Sequence, residues 1–114
     1  MVDLLEIGFV RVAERSEIPV GKMKKVQVGV KEILLANVGG TYYAIGARCT
    51  HEISDLSLGS LEGNVVTCPN HGAKFDVATG KVVSRPKTGF FHPKISDERA
   101  YLVKVENEDI LIKL

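Results

Sequence analysis

Cys49-Thr50-His51 and Cys68-Pro69-Asn70-His71-Gly72, separated by sixteen residues, decide how this chain is read. Both cysteines of the 114-residue protein and two of its three histidines lie in this stretch. Each half pairs one thiolate donor with one imidazole donor, first as C-x-H and then as C-x-x-H. Two Cys and two His at such spacing form the donor set of a metal centre. The candidate ligands are Cys49, His51, Cys68 and His71.

A His2Cys2 set suits tetrahedral structural zinc, or a [2Fe-2S] centre in which two imidazoles replace two thiolates on one iron. Common zinc modules group like residues, Cys with Cys and His with His. Here each loop carries one of each, so each loop can give a thiolate to one iron and an imidazole to the other. A disulfide between the two cysteines would suit a secreted protein. It would leave the placement of His51 and His71 unexplained. Four scattered core residues are a further alternative, but both pairs sit beside Gly or Pro in expected loops rather than in apolar alternation.

The stretch resembles the Rieske iron–sulfur family, whose two loops read C-x-H and C-x-x-H across a span of about this length. The resemblance is carried by Cys49-Thr50-His51-Glu52, by Gly63-Asn64-Val65-Val66-Thr67-Cys68-Pro69, and by His71-Gly72-Ala73-Lys74-Phe75-Asp76 followed by Thr79-Gly80-Lys81-Val82. It covers roughly half the chain closely. It implies one [2Fe-2S] cluster per chain and an all-β fold. That fold is an antiparallel sandwich or barrel with a small inserted cluster-binding subdomain, about residues 45–86, within a single domain spanning 1–114.

Composition sets the outer bounds. Hydrophobic content of 45% and charged content of 25% are ordinary for a globular protein. A formal net charge of +1 offers no footprint for nucleic acid. Lys22, Lys24 and Lys25 are the one basic cluster and read as a solvated strand end. Met1-Val2-Asp3-Leu4-Leu5-Glu6 carries acids where a signal peptide needs a basic region and an apolar run. No segment approaches the roughly 18 apolar residues of a membrane span. A cytoplasmic location is expected, and it suits thiolates reserved for metal.

Period-2 alternation dominates the pattern. Strands are expected at Phe9–Ala13, Lys25–Lys31, Ile33–Val38 and Thr41–Ile45, the last two turned at Gly39-Gly40. Ser16–Gly21, with Pro19, reads as a turn or bulge. Glu52–Leu61 reads as a loop holding Leu56, Leu58 and Leu61. Val65–Thr67 is a short strand ending at Cys68, and Lys74–Val77 with Lys81–Val83 makes a hairpin. Arg85–Ser96 is irregular. Ala100–Glu106 and Asp109–Lys113 close the chain as a hairpin turned at Asn107-Glu108.

The resemblance also orders the chemistry. Two ferric ions, two sulfides and two thiolates sum to zero charge, whereas an all-thiolate centre starts two charges more negative; imidazole ligation therefore raises the potential. Loop-tip imidazoles would give the electron a short way out. High-potential members of the family carry an extra disulfide between the loops. The corresponding positions here are Ser54, or its neighbourhood, and Asn70. High-potential members also place hydroxyl donors where this chain has Ala73 and Phe75. Fewer donors to the cluster predict a potential toward the low end of the roughly −150 to +300 mV range.

Gly72 would let backbone amides approach the sulfurs, or is a plain turn glycine. Pro86 would cap the cluster or end a strand, and Glu52 would tune His51 or simply be solvated. Leu56 and Leu58 fit a docking rim or the core, with the core preferred, and His92 reads as structural or merely exposed.

A mononuclear two-His, one-carboxylate iron is out of reach, since only His92 remains once two histidines are committed. The chain is thus expected not to be the oxygenase itself, and the resemblance implies an electron-transfer protein rather than an enzyme. The resemblance implies a carrier taking electrons from a flavin- or ferredoxin-type reductase and passing them to a terminal oxygenase. Two alternatives are a small subunit of a larger redox enzyme, similar to that of assimilatory nitrite reductases, and a zinc-stapled interaction module.

Overall fold

The computed structural model describes residues 8–50, 54–87, 89, 90 and 92–114. Among the described residues, ten strands form two antiparallel sheets. The larger is built from β1 (Phe9–Glu14), β2 (Met23–Val28), β3 (Lys31–Val38), β4 (Thr41–Gly46), β9 (Ala100–Glu106) and β10 (Asp109–Lys113), in the order β1-β10-β9-β4-β3-β2. Its edges β1 and β2 meet, so the sheet is nearly closed into a barrel. The smaller is a meander of β5 (Ser60–Glu62), β6 (Val65–Thr67), β7 (Lys74–Asp76) and β8 (Val82–Ser84). The all-β antiparallel expectation is borne out.

Strand β3 explains how the two sheets share a core. Its sequence Ile33-Leu34-Leu35-Ala36 is apolar at every position, and all four side chains are fully buried. Successive side chains of a strand point to opposite faces. Ile33 and Leu35 therefore enter the barrel interior with Ala13, Val26, Tyr42, Ala44, Ile110 and Ile112. Leu34 and Ala36 face the other way, into a second core with Ile45, Val66, Phe75 and Val77. That second core lies between the sheets, and Cys49 and Cys68 belong to it.

Several boundaries differ from the sequence expectation. The strand expected at Lys25–Lys31 is Met23–Val28; the chain turns at Gly29 and Val30, and Lys31 opens β3. Val30 continues the apolar alternation yet is almost fully exposed, because turn geometry prevails over pattern there. Ser60 and Leu61, expected at the end of a loop, form a strand with Glu62 that pairs with β6 in register Leu61 to Val66. Three residues with one apolar side chain carry too little periodicity to declare a strand. Residues 85–99 run without strand or helix, save a turn at Gly89 and Phe90, among the described positions.

Candidate metal centre

The two Cys-containing loops close in the same way. Strand β4 delivers the chain to Ala47, whose N–H donates to the Glu32 carbonyl at 3.0 Å. The Leu56 N–H donates to the Ala47 carbonyl at 2.8 Å, Arg48 bridges Asp55, and the Cys49 N–H donates to the Ser54 carbonyl at 2.8 Å. In the second loop, between β6 and β7, the Cys68 N–H donates to the Ala73 carbonyl at 2.7 Å. Each cysteine thus shuts a six-residue loop through its own amide. Both thiols turn inward, at 4% and 2% exposure, and neither cysteine forms a disulfide. His71, three residues beyond Cys68, is exposed.

Local backbone explains the turn at His71. His71 and Gly72 have φ of 56° and 71°, two consecutive left-handed residues. The second is glycine, which adopts that region without penalty. The first is not, and such a conformation persists where surrounding bonds over-determine it. The Cys68–Ala73 closure and the Lys87 N–H donating to the His71 carbonyl at 2.8 Å do so here. Thus Gly72 is required by the turn itself. The same contact brings in a third segment, whose Pro86 is fully buried.

Between the loops, the Asn70 side-chain amide donates to the Ser54 hydroxyl. This hydrogen bond joins Asn70 to Ser54, the positions (for the first loop, Ser54 or its neighbourhood) that the resemblance sets against a disulfide of high-potential members. Ala73 and Phe75 are fully buried, and neither side chain offers a donor. Leu56 and Leu58 divide. Leu56 is core, whereas Leu58, two residues later in a 3-10 turn, is 76% exposed. His92 is exposed. The Glu52 and His51 expectations lie outside the described residues.

Charges gather at the neck of the first loop. Lys25 Nζ lies 2.8 Å from Asp55 and 3.6 Å from Glu32, and Arg48 pairs with Glu32. The hydrogen bond from Arg48 is the main cause holding the Glu32 carboxyl below its ordinary range. Lys25, expected to be a solvated strand end, is therefore engaged. So is Lys24, which pairs with Glu17. One acid escaped sequence reasoning. Glu98 is 8% exposed, and burial pushes its carboxyl up to about 7, while the Thr50 backbone amide pulls it part of the way back. Within Ser96-Asp97-Glu98-Arg99 it reads as a solvated charged turn, and no local signal marks it.

Tetrahedral zinc would hold its donors about 2.0–2.3 Å from one point. A [2Fe-2S] centre distributes its thiolates and imidazoles over two irons. Two inward thiols on facing loops, with an outward histidine at the end of one loop, fit that divided set.

Comparison with known proteins agrees. A family model described as the Rieske [2Fe-2S] domain matches residues 8–107. The chain is 40% identical over 98 residues to the ferredoxin component of the naphthalene 1,2-dioxygenase/salicylate 5-hydroxylase systems of a Ralstonia species, covering 86% of this chain and 88% of the relative. It also superimposes on the ferredoxin of carbazole 1,9a-dioxygenase from Nocardioides aromaticivorans IC177, with TM-score 0.77, 30% identity and coverage of 92% and 96%. A similar match, TM-score 0.77 at 30% identity with 93% of each chain covered, is to a structure of reduced oxygenase in complex with oxidized ferredoxin of carbazole 1,9a-dioxygenase. Inward thiols, paired loop closures and these likenesses lead to one conclusion: the chain belongs to the Rieske [2Fe-2S] family and is built for a [2Fe-2S] cluster.

Proposed function

We propose that this protein is a one-electron carrier, the ferredoxin component of an oxygenase system. Cys49 and Cys68 would hold one iron of the cluster, and His51 and His71 the other. When bound, the cluster takes up and releases a single electron. The observation that best supports this reading is the polarity of the matched loops: thiols buried in the core between the sheets, and His71 exposed beyond them. Electron transfer through an exposed imidazole requires no movement of the buried core.

The donor is a flavin- or ferredoxin-type reductase, and the acceptor is a terminal oxygenase. The ferredoxin–oxygenase complex of the carbazole system supports the second partner. The chain works as one cluster-bearing domain in the cytoplasm. No helix among the described residues is long and apolar enough to cross a membrane. Its potential lies toward the low end of the Rieske range, because Ala73 and Phe75 donate nothing to the sulfurs.

The test is the visible and EPR spectrum of the purified protein, before and after dithionite, followed by reduction through a flavoprotein reductase in trans. A red-brown chromophore that bleaches, with a rhombic signal on reduction, supports the cluster. Electron delivery to an aromatic-ring oxygenase supports the role. A colourless protein holding stoichiometric zinc, and resisting iron–sulfide reconstitution, overturns both.

A further inference from the structure

The four residues before β9 tie the two sheets to the first ligand loop. The Ser96 carbonyl accepts from the Thr50 hydroxyl at 2.5 Å, and Asp97 Oδ1 accepts from the Val82 N–H at 2.9 Å at the start of β8. The Glu98 N–H donates to the Gly80 carbonyl at 2.7 Å, and the Arg99 carbonyl accepts from the Gly46 N–H at 2.9 Å at the end of β4. Four consecutive residues thus touch the loop, the small sheet, its preceding turn and the large sheet. Glu98 is the buried one.

Its seat is cut from two glycines. A Cβ on Gly80 would come within 2.1 Å of the Glu98 backbone oxygen, so only glycine lets the strap close on that turn. A Cβ on Gly46 would come within 2.5 Å of Glu98 Oε1. The Thr50 backbone amide reaches the same carboxyl, and Oε2 has no hydrogen-bond partner among the described residues. A buried carboxyl with one unused oxygen is costly, and it stands where a neutral side chain would have been cheaper.

We propose that Glu98 is a positioning residue for the first ligand loop: its carboxyl, seated against Gly46 and braced by the Gly80 turn, fixes the Thr50 peptide between the loop's two donors. The inference rests on the ligand set proposed above. It concerns the backbone of Thr50, which lies between Cys49 and His51 in the chain. Burial and the Thr50 backbone amide are the causes that set the carboxyl's protonation; its chain neighbours turn elsewhere, Asp97 to the Val82 N–H and Arg99 to the Tyr101 ring. The raised carboxyl accords with this seat, since protonation at the unused oxygen leaves the other free to accept from Thr50.

The test compares Glu98→Ala and Glu98→Gln in the cluster-loaded protein. Deuterium exchange of a peptide spanning residues 47–53 is followed by mass spectrometry, alongside the EPR g values and the half-life of the visible chromophore. Glu98→Ala removes the acceptor. It should speed exchange in that peptide about tenfold, the equivalent of one hydrogen bond, with shifted g values and faster bleaching. Glu98→Gln keeps an acceptor and should restore exchange and g values to near those of the wild type. Unchanged exchange in Glu98→Ala, or identical behaviour of the two variants, overturns the proposal. If Glu98→Ala does not fold, Glu98→Asp decides, since it keeps the carboxyl but withdraws it by one methylene. Wild-type exchange in that variant is the overturning result. A wild-type protein without the Rieske spectrum would instead overturn the electron-carrier reading, and the exchange result would still report on the loop.

Discussion

The two ligand loops have the same closure and different supports. Each is shut by a cysteine amide donating to the carbonyl five residues ahead, Cys49 to Ser54 and Cys68 to Ala73. The second needs less. It joins adjacent strands β6 and β7 and is shaped by two left-handed residues, with the Lys87 N–H on the His71 carbonyl and the Asn70 amide on Ser54 as its contacts from outside. The first leaves the large sheet and returns through a 3-10 turn to the small one. It is held from outside by Leu56 in the core, by the Lys25–Asp55 and Arg48–Glu32 pairs, and by the strap at Ser96–Arg99. A loop between neighbouring strands inherits its shape from the hairpin, whereas a loop between sheets must be pinned by residues distant in sequence. Mutations should therefore separate the two loops by the range of the contacts they break.

The largest effect should be common to both. Cys49→Ser or Cys68→Ser replaces a buried thiolate with a poor iron ligand, and either should yield protein without the visible chromophore. A variant that keeps wild-type absorbance would break the ligand assignment. Next come the core side chains beneath each loop. Phe75→Ala should cost about 3–5 kcal/mol and Leu56→Ala about 2–5 kcal/mol in urea denaturation. Leu56→Ala should also loosen the first loop in deuterium exchange while leaving residues 68–73 unchanged, which sharpens the contrast.

A pH effect should follow and belong to the first loop alone. Glu98 has an ordinary value of 4.5 and is pushed up to about 7 in the fold. Between those values the unfolded chain has released a proton that the folded chain retains, so stability falls as pH rises from 4.5 to 7. This penalty is absent below that window and complete above it. It is below about 3 kcal/mol, because a tenfold change in proton affinity is worth about 1.4 kcal/mol and solvent screens part of the effect. Urea midpoints at pH 5 and pH 8 should differ more for the wild type than for Glu98→Gln.

Gly72→Ala should act on the second loop. A φ of 71° costs a residue bearing Cβ about 1–2 kcal/mol, again read as a urea midpoint. The smallest effect is Arg48→Ala, which removes a half-exposed ion pair. Its shift in midpoint should shrink further as salt is added.

How much could be foreseen depended on the same local and distant contacts. Ala100–Glu106 and Asp109–Lys113 stand where alternation and the Asn107 turn place them; Asn107 has φ of 54°, a region asparagine tolerates. By contrast, Leu56 and Leu58 look alike in sequence, and a 3-10 turn with three residues per turn sends one inward and one out. The Ser54–Asn70 contact could be anticipated only by resemblance. Glu98 could not be anticipated at all, because its burial depends on Gly46, Gly80 and Thr50, all at least eighteen residues away.

By itself, the sequence pointed to Cys49, His51, Cys68 and His71 as candidate ligands, and to the strand content and the family. These rest on residue chemistry and short-range periodicity, which a chain carries wherever it goes. Only the tertiary structure decided which donors turn inward, which leucine is exposed and which carboxyl is buried under the first loop. Burial is a property of two sheets meeting, and no single stretch of sequence contains both.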